Sequence, residues 1–245
     1  MEQTMIERWG MLELSLPGKT EGNPFTDYEI RGRFEGRHED VMVSGFYDGN
    51  GIYRIRFMPS YTGEYRYTVF GSFSDTETSG AFRVTEAPEG CHGPVRVSGF
   101  HFVYADGTPF YPLGTTCYVW TQQPDERIEE TLRSLKEARF NKIRFCILPK
   151  HYDYNLGEPR TYPFEGTPMD SSVLTKENFW DYAGKTEGNH FDLTRPNPEH
   201  FRHLENASWN SRRSASKPIS SSCIPMTGGA FPACPAKRTT FTGTM

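Results

Sequence analysis

The 245-residue chain has no apolar run long enough to cross a bilayer. Its start, "MEQTMIERWGMLEL", carries acidic residues where a secretion signal would need a basic and then an apolar stretch. As written, the chain is expected to stay in the cytoplasm, with no membrane as a partner. It also lacks a basic footprint. With a net charge of -4, a pI near 6.0 and no lysine or arginine cluster alternating with aromatics, no nucleic acid is expected as a partner.

The five cysteines, Cys91, Cys117, Cys146, Cys223 and Cys234, are odd in number and none stand in a C-x-x-C spacing. That argues against a disulfide framework and against a structural zinc site. Neither a metal nor another cofactor is expected. Cys117 and Cys146 lie in the apolar runs "GTTCYVW" and "IRFCIL" and read as small buried hydrophobes. A nucleophilic thiol paired with His151 is the alternative, and no local signature supports it.

What the chain does have is 36% hydrophobic and 24% charged residues, a balance that suits a folded chain of one or two domains. Its first part reads as β structure. "MLELSL", "YEIRGRF", "VMVSGFY", "GIYRIRFM", "GEYRYTVF" and "AFRVTEA" are short runs of branched and aromatic residues, separated by Gly, Pro, Asp and Asn. Tyr53, Ile55 and Phe57 alternate with Ile52, Arg54 and Arg56, and Tyr65, Tyr67 and Val69 with Arg66 and Thr68. Such alternation predicts strands with one buried and one wet face. "YDGNGIY" predicts a turn in which Gly49 and Gly51 take positive φ, and "SFSDTETSG" a polar loop.

Beyond "EAPEGCHGPVRVSG" the pattern changes. "FHFVYADGTPFYPLG" predicts a hairpin turning at Asp106 and Gly107, followed by a short apolar strand, "LGTTCYVW". "QPDERIEETLRSLKEARF" predicts a helix with Pro124 at its first position and Ile128, Leu132, Leu135 and Ala138 on one side. "FNKIRFCILP" predicts a strand buried on both faces, so that strand, helix and strand form a βα unit of a parallel sheet. The segment from Pro149 to Arg195 reads as a polar and aromatic loop. "PNPEHFRHLE" then opens a second helix with Asn197 as its cap, and the period stops at Leu204.

Several strings, "ERWGMLELSL", "GNPFTDYEI", "GFYDGNGIYRIRFMP", "GCHGPVRV", "FVYADGTPFYPLGTTCYVWTQQP" and "FNKIRFCILPKHYDYN", together carry a resemblance. Residues 5 to 205 resemble the start of bacterial glycoside hydrolases in which an immunoglobulin-like domain of unknown function 5060 precedes a (β/α)8 barrel. The implied fold is an N-terminal all-β immunoglobulin-like sandwich followed by the first βα units of a truncated (β/α)8 barrel. The implied domains are 1–88 as the sandwich, 89–205 as the start of the barrel and 206–245 as an aberrant tail.

In related retaining barrels the acid/base and the nucleophile are carboxylates at the ends of the fourth and seventh strands, which this chain does not reach. The resemblance implies an oligosaccharide or glycoside ligand. Barrel sites lie at carboxyl strand ends, which singles out Trp120, Lys150, His151, Tyr152 and Asp153. "FNKIR" resembles a second strand whose arginine orients a carboxylate, and Arg144 is the residue it carries over. Arg144 reads equally as an internal ion pair, Trp120 and Tyr152 as sugar-stacking or loop packing, and His151 and Asp153 as hydroxyl ligands or loop caps.

Glycoside hydrolysis needs two carboxylates about 5 to 9 Å apart, and nothing in the spacing of Glu158, Glu165 and Asp170 defines such a pair. A fragment of a hydrolase, inactive as written, is therefore expected. The alternatives are a non-catalytic carbohydrate-binding or interaction module and a thiol enzyme.

The tail "SWNSRRSASKPISSSCIPMTGGAFPACPAKRTTFTGTM" has no hydrophobic period. Re-read one base earlier, every serine of the TCN codon type becomes a codon ending in TC, which encodes only Phe, Leu, Ile or Val. Ser220 to Cys223 then become four apolar residues, as a third barrel strand requires. A shifted reading frame from about Asn206 is the expectation, with a natural disordered tail as the alternative.

Overall fold

The structure, a computed structural model, describes residues 4–138, 140–148, 155–167, 175–177, 190–214, 220–223 and 238–242, with backbone alone for 209–214 and the last two stretches. Strands far outnumber helices among them. The chain divides into two compact units, Met1–Tyr111 with Pro232–Met245, and Pro112–Phe231. Residues 89–111, assigned from sequence to the start of the barrel, belong by contacts to the first unit.

Eight strands come first: β1 (Met5–Glu7), β2 (Met11–Pro17), β3 (Arg31–Gly36), β4 (Glu39–Ser44), β5 (Phe46–Tyr47), β6 (Ile52–Phe57), β7 (Gly63–Phe70) and β8 (Thr78–Thr85). One sheet has the order β1-β8-β7-β3-β4. The other runs β17-β2-β6-β5, where β17 is Arg238–Thr242. Because side chains alternate across a strand, each sheet sends every second residue to one side. Leu12, Leu14, Leu16, Tyr53, Ile55 and Phe57 from one sheet meet Phe34, Tyr65, Tyr67, Val69, Phe82 and Val84 from the other in a single buried cluster. Phe34 stacks on Phe57 with centroids 4.3 Å apart, and Tyr65 on Phe82 at 5.2 Å.

The turn between β5 and β6 forms where Gly49, Asn50 and Gly51 take φ of 87°, 53° and 74°, left-handed values that glycine and asparagine tolerate. The polar loop ends earlier than its composition suggests, since β8 already begins at Thr78. There Gly80 lies opposite Tyr67, so close to the phenol ring that any side chain would collide with it.

The outer side of the β2–β6 pair holds charge. Glu13 is fully buried between Arg54 and Arg56, both of which donate to its carboxylate, and Arg54 also reaches Asp48. β9 (Val95–Ser98), β10 (His101–Tyr104) and β11 (Pro109–Phe110) make a separate three-stranded sheet whose turn has Gly107 at φ 90°. Cys91 is disulfide-bonded, against the sequence expectation, while Cys117 and Cys146 form no disulfide.

The second unit begins with β12 (Gly114–Thr116), a 3-10 turn (Trp120–Gln122), α1 (Asp125–Glu137) and β13 (Lys142–Phe145). Pro124 stands one position before the helix, at φ -53° and ψ 150°, with Asp125 and Glu126 in the first turn. β14 (Phe164–Thr167) and β15 (His190–Pro196) pair antiparallel inside what reads from sequence as a loop. The helix α2 (Pro198–Ser214) continues past Leu204, and β16 (Ser220–Cys223) follows.

β12, β13 and β16 form a parallel sheet, with Thr116 opposite Arg144 and Arg144 opposite Ser222. Ile143 and Phe145 are buried with Ile128, Leu135 and Ala207, so both helices cover that face. Lys142 and Arg144, on the opposite face, are exposed. The expectation of a strand buried on both faces therefore fails for β13, because nothing among the described residues covers its second face.

Candidate functional site at the carboxyl ends of the parallel strands

The chain leaving β12 stays alongside the chain leaving β13. Cys117 N–H donates to Arg144 O at 2.9 Å, and Cys146 N–H to Tyr118 O at 2.7 Å. Trp120 follows and is buried, with its ring edge-on to Phe145 at 6.0 Å. Its Nε1–H is buried without an acceptor among the described residues. Arg144 is exposed, with its guanidinium carbon 5.9 Å from the Tyr118 ring centroid, and makes no ion pair among the described residues. Lys150, His151, Tyr152 and Asp153 lie outside the described residues.

Side chains that the sequence pattern did not single out tie these strand ends together. Gln122 Nε2 donates to Ile147 O at 3.3 Å, and Gln123 Nε2 to Asn155 Oδ1 at 2.7 Å. From α2, His203 Nε2 donates to Thr121 O at 2.7 Å. His200 is buried, with Nε2 at 3.2 Å from Ile147 O and Nδ1 at 3.0 Å from Thr161 O and 3.2 Å from Thr161 Oγ1. Burial lowers the His200 pKa against the pull of the two carbonyls, so the ring is neutral at pH 7. A neutral ring has one N–H. That proton serves one of the two carbonyls, Ile147 O from Nε2 or Thr161 O from Nδ1, and Nδ1 accepts the Thr161 hydroxyl only when the proton is on Nε2.

Asn197 sets the angle of α2. Its Oδ1 accepts Glu199 N–H at 3.0 Å, as a helix cap does, and its Nδ2 donates to Tyr162 O at 3.0 Å. The one sequence signal for this latch was the "HFRH" spacing, which puts His200 and His203 on one side of a helix.

The cavity between the latch residues measures about 10 Å³, room for a single water and far below a sugar ring. A larger groove, about 370 Å³, lies on the α1 side of β12 between Cys117, Arg127 and Leu135. Burial raises the Cys117 pKa, which disfavours the thiolate a nucleophile needs.

Nearby carboxylates are engaged one at a time, Asp125 by Arg160 at 2.6 Å and Glu158 by the Tyr162 hydroxyl. Among the described residues no group of His, Cys, Asp and Glu could hold a metal ion. None of their helices is long and apolar enough to cross a membrane.

Residues 5–72 match the family model described as Domain of unknown function (DUF5060). Among solved structures, the chain is 39% identical, with a TM-score of 0.76, to a protein from Bacteroides vulgatus ATCC 8482 described as a "putative glycoside hydrolase". That match covers 91% of this chain and 41% of the other. A family 39 glycoside hydrolase from the gut symbiont Bacteroides cellulosilyticus WH2 is 13% identical over 90% of this chain and 49% of its own. The TM-score of that match is 0.24. No curated protein matches the chain. The chain is thus glycoside hydrolase-like by its resemblance to the Bacteroides vulgatus protein, of whose length it spans 41%.

Proposed function

We propose that this chain is a fragment of a carbohydrate-active glycoside hydrolase, one that cleaves O-glycosidic bonds when whole and is inactive as written. Residues 1–88 are an immunoglobulin-like sandwich, and β12, α1, β13, α2 and β16 are the opening βα units of a (β/α)8 barrel. The observation that carries this reading is the parallel register of β12, β13 and β16, with helices among the described residues packed on one face. In a barrel, the face bearing Thr116, Lys142 and Arg144 would line the interior, and sugar would bind at the carboxyl ends. Arg144 and the segment Lys150 to Asp153 are its proposed ligands there. Inactivity is inferred because hydrolysis needs a facing pair of carboxylates, and of the described carboxylates near these strand ends Asp125 is held by Arg160 and Glu158 by Tyr162.

The pairing of β16 with β13 also supports a shifted frame in the tail. Ser220 to Cys223 stand opposite Lys142 to Phe145, where a parallel strand between neighbours calls for apolar residues, and TCN serines become apolar one base back.

Two experiments test the proposal. Purified chain is expected to turn over neither aryl glycosides nor polysaccharides, and turnover by a clean sample would refute it. Binding of an oligosaccharide by unit 1 alone would favour the non-catalytic module instead. Sequencing the gene is expected to reveal an open frame one base back, running through further βα units. Stop codons early in that frame would end the frame reading.

A further inference from the structure

β2 pairs with β6 on one side and with β17 on the other, and the side that meets β17 carries none of the protection usual for a strand edge. An open strand edge offers unpaired N–H and C=O groups to any other chain, and proteins blunt such edges with shortness, charge or proline. The other sheet margins in this unit follow that rule. β1 has three residues, β5 has two, and β4 begins with Glu39 and Asp40. β2 has seven residues, its proline is only at the end, and the one charge it carries, Glu13, is absorbed by Arg54 and Arg56.

β17 covers that edge. It lies parallel to β2 in a five-residue register, from Arg238 opposite Met11 to Thr242 opposite Ser15, with Thr240 opposite Glu13. A parallel neighbour cannot be joined by a tight hairpin, so it is delivered from a distant part of the chain. Leu12, Leu14 and Leu16 face the core, while Glu13 and Ser15 are buried on the other side at 0% and 8% exposure. A strand buried on both faces, with one partner in β6, is the arrangement of an interior strand.

We propose that the outer edge of β2 is a docking site for an extended segment running parallel to it, and that Arg238–Thr242 occupies it as an exchangeable ligand. Recognition is by main-chain hydrogen bonds, as in strand addition to a sheet edge. Tethering within one chain raises the local concentration of the segment to the order of millimolar, so the site is filled in cis. The acceptor edge at residues 11–17 lies ahead of the proposed frame change, and its occupant is the segment Arg238–Thr242 of the chain as written.

The test is hydrogen exchange on the full chain and on the double variant Thr240→Pro with Phe241→Pro, which removes whichever of these two alternating N–H groups is directed at β2. The β2 amides directed away from β6 are expected to lose protection by about tenfold in the variant, while β3 and β7 keep theirs. Adding the peptide AKRTTFTG, residues 236–243, is expected to restore it. Unchanged β2 protection in the variant would overturn the proposal. Equal loss through β3 and β7 would also overturn it, because β17 would then be part of the core. A peptide that restores nothing would overturn exchangeability.

Discussion

Glu13 is the residue on which the outer side of the β2–β6 pair turns. It is fully buried, and its two arginines are about a quarter exposed, at 24% and 23%. Removing one partner from a buried ion pair leaves the other charge without compensation, a loss of about 3 kcal/mol or more. Glu13→Gln keeps the shape and removes the charge, and Arg54 and Arg56 retain some water, so a loss near about 3 kcal/mol is expected. Urea unfolding followed by circular dichroism measures it. A midpoint within error of the parent chain would mean that the pair stabilises nothing. The sequence indicated little of this, since "MLELSL" presents Glu13 as an ordinary wet-face residue and only the structure puts a second neighbour beside it.

At the scale of elements, the latch between α2 and the strand-end loops makes a prediction about pH. A histidine whose folded pKa lies below its unfolded value of 6.5 binds a proton more readily when unfolded. The stability it contributes is therefore complete above about 6.5 and is lost progressively as the pH falls below that value. Protection of the α2 amides is expected to drop as the pH falls from about 6.5 to 5, and His200→Gln to flatten that slope. An identical slope in the variant would assign the pH response to another group.

Much of the element pattern was legible beforehand. Tyr53, Ile55 and Phe57 alternate because β6 has one dry face, and Asp106 with Gly107 mark their turn directly. What was not legible came from tertiary partners. β14 and β15 pair across a long polar stretch whose composition carries no strand period. β13 reads as buried on both faces because a run such as "IRFCIL" cannot report which neighbours are present. Of the candidate site, the strand ends were foreseeable from the βα pattern, whereas the histidine latch depends on which carbonyls α2 meets.

For the molecule as a whole, the two units differ in how much core each closes on its own. Among the described residues the first gathers fifteen buried residues in one cluster, from Ile6 to Val84, drawn mainly from its two larger sheets. Among the described residues the second gathers six, from Trp120 to Ala207, on one face of a three-stranded sheet. Small cores leave little margin over the entropy of ordering the chain, and a parallel sheet with an uncovered face also forgoes burial that such sheets normally have. Residues 1–111 expressed alone are therefore expected to give a β-type far-UV spectrum and to melt cooperatively. Residues 112–231 are expected to melt without a sharp transition and to be digested first by trypsin in the intact chain. The 1–111 fragment lacks β17, so its β2 edge is open, and it is further expected to self-associate as its concentration rises. Sedimentation with and without the peptide AKRTTFTG separates the two contributions: the peptide suppresses association through the β2 edge and leaves association through any other surface unchanged. A helical spectrum for 1–111, or cooperative melting of 112–231 with resistance to trypsin, would reverse this assignment of where the chain's stability resides.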